Sequence, residues 1–212
     1  MAGLSNAIFA YSPDGVQELH LTTTDGNTVL GATFTGWWDE TGSHNGGNSN
    51  YIAGICGSSD SCFGNDMELR NFFVFDLENV TGTILAANLS IGNDSSLGYI
   101  SPNPSSFFDV FAVLTPIDEL TASDTGRTDI FGDLADGVLY ASKSVSAADN
   151  GTQVIINLNN DAIAALNDAI GSSFAFGGAV RLNGGHEVPE PASLALIGFG
   201  LAGLGLARRR KG

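Results

Sequence analysis

The densest chemistry in this sequence lies between Trp37 and Tyr51. Trp37-Trp38-Asp39-Glu40 is followed by Gly42, His44, Asn48, Asn50 and Tyr51. Aromatic faces stack on the apolar side of a sugar ring, while amides and carboxylates hydrogen-bond its hydroxyls. Trp37, Trp38, Asp39, His44, Asn50 and Tyr51 are therefore the candidate ligand-binding set, and a glycan is the ligand class they suit. On a strand, Trp37 and Trp38 point to opposite faces, so at most one of them is exposed. The alternative is structural: one Trp packs the core and the other lies under the Gly/Asn-rich loop 42–50.

Other chemistry-bearing residues are sparse. Cys56 and Cys62 enclose five residues made mostly of Gly and Ser, and an even pair this close reads as a disulfide in an exported protein. The rival is metal, for which two cysteines without a nearby histidine supply half a zinc shell. The histidines are His20, His44 and His186, and no HExxH, GxSxG or EF-hand loop is present. Asp39/Glu40 and Asp118/Glu119 read as solvated loop acids, although a glycosidase needs only two carboxylates brought together in space. Asp149-Asn150-Gly151 offers oxygen ligands for calcium without a full ligand pattern. The expectation is no catalytic residue, no metal and no cofactor.

The elements that must position these residues are short strands. Candidates are Val16–Thr22, Asn27–Thr35, Tyr51–Ile55, Leu69–Leu77, Ile84–Ile91, Phe107–Leu114, Val138–Val145, Gln153–Leu158 and Phe174–Leu182, separated by Gly, Asn, Ser and Asp. Asp25-Gly26 is a two-residue hairpin signal. Leu69–Leu77 is apolar on both faces at mid-length, which predicts a central strand. A single helix is expected over Asp161–Ile170, capped by Asn160 or Asp161 and closed by Gly171, with Ile163, Leu166 and Ile170 on one face. The fold class is all-β: a two-sheet β-sandwich of jelly-roll type with one short helix, spanning 11–187.

Charge divides the chain in two. The 212 residues carry 8 Lys+Arg and 23 Asp+Glu, a formal −15, and Arg208, Arg209, Arg210 and Lys211 are half of all the cations. Residues 1–187 hold 4 cations and 22 acids, or 4 − 22 = −18. A body that acidic is repelled by phosphate backbones, which excludes nucleic-acid binding.

The last 25 residues (188–212) have their own grammar. Val188-Pro189-Glu190-Pro191 is a rigid break, Ala192–Ala207 is free of charge, and Arg208–Lys211 is the basic stop. As a helix the apolar run spans about 24 Å, close to a bilayer core once the terminal arginines snorkel. The basic cluster then stays cytoplasmic and the body lies on the opposite side. Gly198-Phe199-Gly200-Leu201-Ala202-Gly203 fits GxGxxG, but without a strand–turn–helix unit it is a close-packing helix face rather than a nucleotide site.

This order of motif, apolar segment and basic tail resembles the PEP-CTERM protein-sorting signal of exopolysaccharide-producing Gram-negative bacteria. The resemblance implies recognition of Val188, Pro189, Glu190 and Pro191 by the membrane enzyme exosortase, after which the helix is removed. It also implies export, through an inner-membrane-anchored precursor, to the cell surface or extracellular matrix. Residues 1–10 lack the cations of a secretion leader and read as the remnant of a longer one, which places the natural start upstream. The run Asn71-Phe72-Phe73-Val74-Phe75-Asp76-Leu77, with Thr81-Gly82-Thr83 after it, resembles bacterial surface jelly rolls related to carbohydrate-binding modules.

The leading functional expectation is an exported, non-catalytic matrix or surface protein associated with exopolysaccharide and biofilm, with glycan binding as its finer form. Two alternatives stand beside it. One is a polysaccharide-active enzyme on the same fold. The other is an adhesin or ice-binding-type surface, for which Thr22-Thr23-Thr24 is the one hint.

Overall fold

Period-two apolar patterning and frequent turn residues produce short strands, which a computed structural model arranges in two antiparallel sheets. The structure describes residues 8–9, 16–56, 67–96 and 98–181, with backbone alone at Ile8, Phe9 and Cys56. In chain order the strands are β1 (Ile8–Phe9), β2 (Gln17–Thr23), β3 (Gly26–Gly31), β4 (Phe34–Asp39), β5 (Ala53–Cys56) and β6 (Met67–Asp76). There follow β7 (Ile84–Gly92), β8 (Ser105–Ala112), β9 (Leu139–Ser146), β10 (Gln153–Asn157) and β11 (Ser173–Arg181). The larger, seven-stranded sheet runs β1-β5-β6-β11-β8-β9, with β4 also on β6; the smaller runs β10-β7-β2-β3. Leu69 pairs with both Asp39 and Gly54, so β4 and β5 flank β6 on opposite edges. Ile8–Phe9, within the stretch expected to be leader remnant, pairs with Ala53–Gly54 at the edge of this sheet.

The two-sided apolar character of β6 has a direct structural consequence. Phe73 and Phe75 face the smaller sheet, where they join Phe108, Val110 and Phe176 against Leu19, Leu21, Leu89, Ile91, Val154 and Ile156. Phe72 and Val74 face the other way, into a second cluster with Trp38, Leu120, Ile130 and Leu134. Burying a side chain of this size contributes about 1.5–3 kcal/mol, so neither face is left bare.

The second cluster exists because the chain has more helix than its patterning predicts. In place of one helix there are, among the described residues, three: α1 (Ile117–Leu120), α2 (Thr128–Asp136) and α3 (Asn160–Asp168). The first two cover the outer face of the larger sheet. Helix α2 starts after Arg127 with no side-chain cap and carries Gly132 in its interior, so its usual sequence signals are missing. It is held instead by burial of Ile130 and Leu134, four residues apart. Helix α3 sits close to its expected position, but Asn159 rather than Asn160 or Asp161 caps it, its Oδ1 accepting from Ala162 N–H at 3.0 Å. Asn167 fixes α3 to β7 by accepting from Ile84 N–H (2.8 Å) and donating to Ile84 C=O (2.9 Å).

Two further local expectations need correction. The apolar run Asn27–Thr35 is not one strand. It divides into β3 in the smaller sheet and β4 in the larger, and the crossing is at Ala32-Thr33: Ala32 N–H bonds Gln17 C=O and Thr33 N–H bonds Val74 C=O. Period two is continuous through a strand that changes sheets, so the pattern does not reveal the corner. The hairpin loop is Thr24-Asp25 rather than Asp25-Gly26, because Gly26 pairs with Thr23 and takes the positive φ of +133° at the strand end.

Candidate functional site

Strand β4 and the loop after it hold the candidate ligand set, and four of its six residues are committed to internal contacts. Trp38 is fully buried and its indole N–H donates to Leu120 C=O at 3.0 Å, fastening β4 to α1. Asp39 is buried at the strand end, where Oδ1 accepts from Thr41 N–H (2.9 Å), Thr41 Oγ1–H (2.6 Å) and Ser43 N–H (3.0 Å). One carboxylate oxygen thus shapes the turn 39–43. Tyr51 is 1% exposed; its hydroxyl donates to Gly92 C=O and accepts from Gln17 Nε2–H at 2.6 Å, tying the two sheets together.

His44 is the fourth. Its ring lies 5.1 Å from Trp38 and edge-on to Phe72 and Phe34, and its backbone bridges that of Asp124. Nδ1 is 2.8 Å from Trp37 C=O, and because a carbonyl only accepts, Nδ1 carries the hydrogen. Nε2 is buried without a hydrogen-bond partner. Burial pushes the His44 pKa down, and the Trp37 carbonyl on Nδ1 offsets part of that effect. Close approach of the loop to the helical layer depends on Gly42, at φ +77°, where an added Cβ would lie 2.3 Å from Arg127 N.

The remaining pair keeps partial exposure. Trp37 is half-buried and its indole N–H donates to Asn50 Oδ1 at 2.7 Å. The prediction that the two tryptophans diverge therefore matches the geometry, with Trp38 inside and Trp37 at the rim. Trp37 and Asn50 meet each other, while Trp38 and His44 belong to the outer cluster and Tyr51 to the inner one. Sequence reasoning missed the groups that make these residues structural: Gln17, Gly92 and Leu120. Only the backbone carbonyls of the last two take part, and a carbonyl leaves no mark on side-chain patterning.

The other expectations are distributed over the surface. Asp149 accepts from Ser146 N–H at 2.7 Å, and Asn150 Oδ1 accepts from Asn93 Nδ2–H (3.1 Å) and Tyr99 N–H (2.6 Å), so the would-be calcium loop uses these oxygens internally. Among the described residues no cluster of three or more His, Cys, Asp or Glu is placed to hold a metal ion. Glu119, Asp124 and Asp129 surround Arg127, whose hydrogen bond holds the Asp129 carboxyl below its ordinary range. Asp118 is exposed. His20 pairs with Glu18 at 2.9 Å on the smaller sheet. Thr22 and Thr24 are exposed while Thr23 is buried, so the three threonines do not form one flat face.

Several expected sites lie outside the described residues. These are Cys62 and the side chain of Cys56, His186, the motif Val188–Pro191, the apolar run Ala192–Ala207 and the basic stop Arg208–Lys211. Among the described residues no helix is long and apolar enough to cross a membrane.

Comparison with known proteins resolves the C-terminal region. No curated protein and no solved structure matches the chain. Residues 187–211 match the PEP-CTERM protein-sorting motif, one residue offset from the boundaries read from sequence. The chain thus carries the sorting signal of a protein targeted for exosortase processing and for export to the cell surface.

Proposed function

We propose that the protein is a non-catalytic component of the cell surface or extracellular matrix, delivered by exosortase and associated with exopolysaccharide. In this reading Ala192–Ala207 halts the precursor in the membrane, and Val188–Pro191 presents extended backbone for processing. The sorting motif at 187–211 carries the proposal. The body adds two supports. Its −18 over residues 1–187 keeps it soluble beside other polyanions, and the polar atoms of Asp39 and Tyr51 are engaged in holding the fold. A jelly-roll-like body fits a structural module of that kind, and Cys56–Cys62 would be a disulfide after export.

The test is the intact mass of the protein in the extracellular fraction of its native host. A mature form ending near Pro189–Pro191, without residues 192–212, is the expected result. A full-length species confined to membranes would overturn the processing step. Replacing Pro189, Glu190 and Pro191 with alanine should leave the precursor uncleaved, and unchanged processing would refute recognition of the motif.

A further inference from the structure

Strand β11 is the last described element, and its position in the sheet constrains where the sorting motif can go. It lies between β6 and β8, well inside the seven-stranded sheet, and its end at Arg181 pairs with Phe107 near the start of β8. Arg181 is fixed there by a two-oxygen ion pair to the buried Asp109, with contacts of 2.6–2.9 Å, and by its approach to the Phe107 ring. Residues 182–186 alone separate this anchored point from the matched motif. Five residues reach at most about 18 Å when fully extended, less than the roughly 26 Å that β11 spans from Arg181 back to Ser173 at about 3.3 Å per residue.

The strand registers show which part of the body lies at that point. Ser105, at the start of β8, pairs with Ser146 at the end of β9, so the 3-10 turn Ala147–Asp149 is on the same rim. Asn93 N–H bonds Thr152 C=O, which brings the segment after β7 beside that turn. β4 ends on this side at Asp39 and β6 begins here at Met67, which adds Glu40. The opposite rim carries the Thr24-Asp25 loop, residues 77–83 and Ser172.

We propose that the rim formed by Glu40, the segment 98–104 and Ala147–Asn150 is the face the folded precursor turns toward the membrane-embedded processing enzyme. The inference rests on the exosortase reading above. A short tether at an anchored strand end leaves the body no room to present its far rim. The rim also displays Glu40, Asp94 and Asp149, and Arg181 is its paired cation. Such a surface is repelled by anionic lipid headgroups and suits a protein partner with a neutral or basic face.

The experiment uses the full-length chain in native-host membranes with epitope-tagged exosortase. A photo-crosslinking residue replaces Glu40 or Ala148 on the near rim, or Asp25 or Glu78 on the far rim; all four positions are exposed. At least tenfold more exosortase adduct from the near rim is expected. Inserting twelve Gly/Ser residues after Gly185 should bring that ratio close to one while the body melts unchanged. Equal adducts from both rims with the native tether, or a ratio unaffected by the insertion, would overturn the proposal. Processing of the Pro189, Glu190 and Pro191 alanine variant, read by mass in the same cells, reports on the sorting reading separately.

Discussion

On its inner face the seven-stranded sheet presents Phe73, Phe75, Phe108 and Phe176 to a second sheet; on its outer face Trp38, Phe72 and Val74 meet two short helices and a loop. The inner interface is continuous apolar packing, with aromatic pairs such as Phe75–Phe176 at 6.0 Å edge to face. The outer one is fastened by single polar contacts to backbone. Trp38 bonds Leu120 C=O, and Arg70 Nη1 donates to Phe131 C=O (3.0 Å) and Gly132 C=O (3.3 Å) over the Phe131 ring. Asp133 accepts from Thr115 N–H (2.7 Å) and Thr115 Oγ1–H (2.6 Å), holding the segment before α1. Helices of four and nine residues are too short to hold themselves together in water, so the outer layer borrows its order from the sheet beneath it. The inner face should therefore unfold with the whole body, and the outer layer should open alone at lower free energy.

Substitution on β6 gives the largest contrast. Phe73→Ala removes a fully buried ring from the inner face and should cost about 3–5 kcal/mol, with amide exchange rising throughout the body. Phe72→Ala, the same change one residue away, should accelerate exchange first in α1 and α2. If the two variants give the same exchange pattern, the faces are one cooperative unit.

A smaller change tests the fastening directly. Trp38→Phe keeps an aromatic ring and leaves the Leu120 carbonyl without its indole donor, at a cost of about 1–3 kcal/mol. The effect should appear as faster exchange in α1 with little change around Phe176. A uniform loss would show that the outer layer does not open separately.

Acid should loosen the outer layer through His44. Its folded pKa is lowered, chiefly by burial, so the unfolded chain takes up the proton first. That contribution is whole above the ordinary histidine value of about 6.5 and is lost as pH falls from there toward the folded pKa. Between pH 7.5 and 5.5 the melting temperature should drop by on the order of a few degrees, and His44→Gln should reduce that dependence. An undiminished slope in the variant would assign it to other groups.

Asn50→Ala should have the smallest effect. It removes the partner of a half-buried Trp37 at the sheet rim, at about 0.5–1.5 kcal/mol, and should red-shift Trp37 fluorescence. An unshifted spectrum would mean that Asn50 does not set the environment of that indole.

Much of this architecture was legible as pattern. Alternation located most strands to within a few residues but missed β4 as a strand of its own, the double-sided run of β6 marked the central strand, and α3 begins one residue from the expected cap and is closed by Gly171 as expected. The outer layer was not legible. Its helix α2 has an uncapped start, and only Ile130, Phe131 and Leu134, at i, i+1 and i+4, hint at an apolar stripe. Trp38, Asp39, His44 and Tyr51 are residue types that serve a sugar site and a polar-pinned core alike, so their spacing alone does not separate the two.

What the sequence determined by itself is whatever depends on covalent order: the Val188–Pro191 break, the uncharged run, the basic stop and the acidic body. A sorting signal is read in extended or helical form by another machine, so linear spacing is sufficient to specify it. The tertiary structure alone decided which polar atoms in 37–51 are already engaged, where the chain changes sheets at Ala32-Thr33, and at which rim β11 releases the chain. Those facts depend on backbone carbonyls and on strands distant in sequence. A hydrogen bond from Trp38 to Leu120, 82 residues away, has no trace in local periodicity.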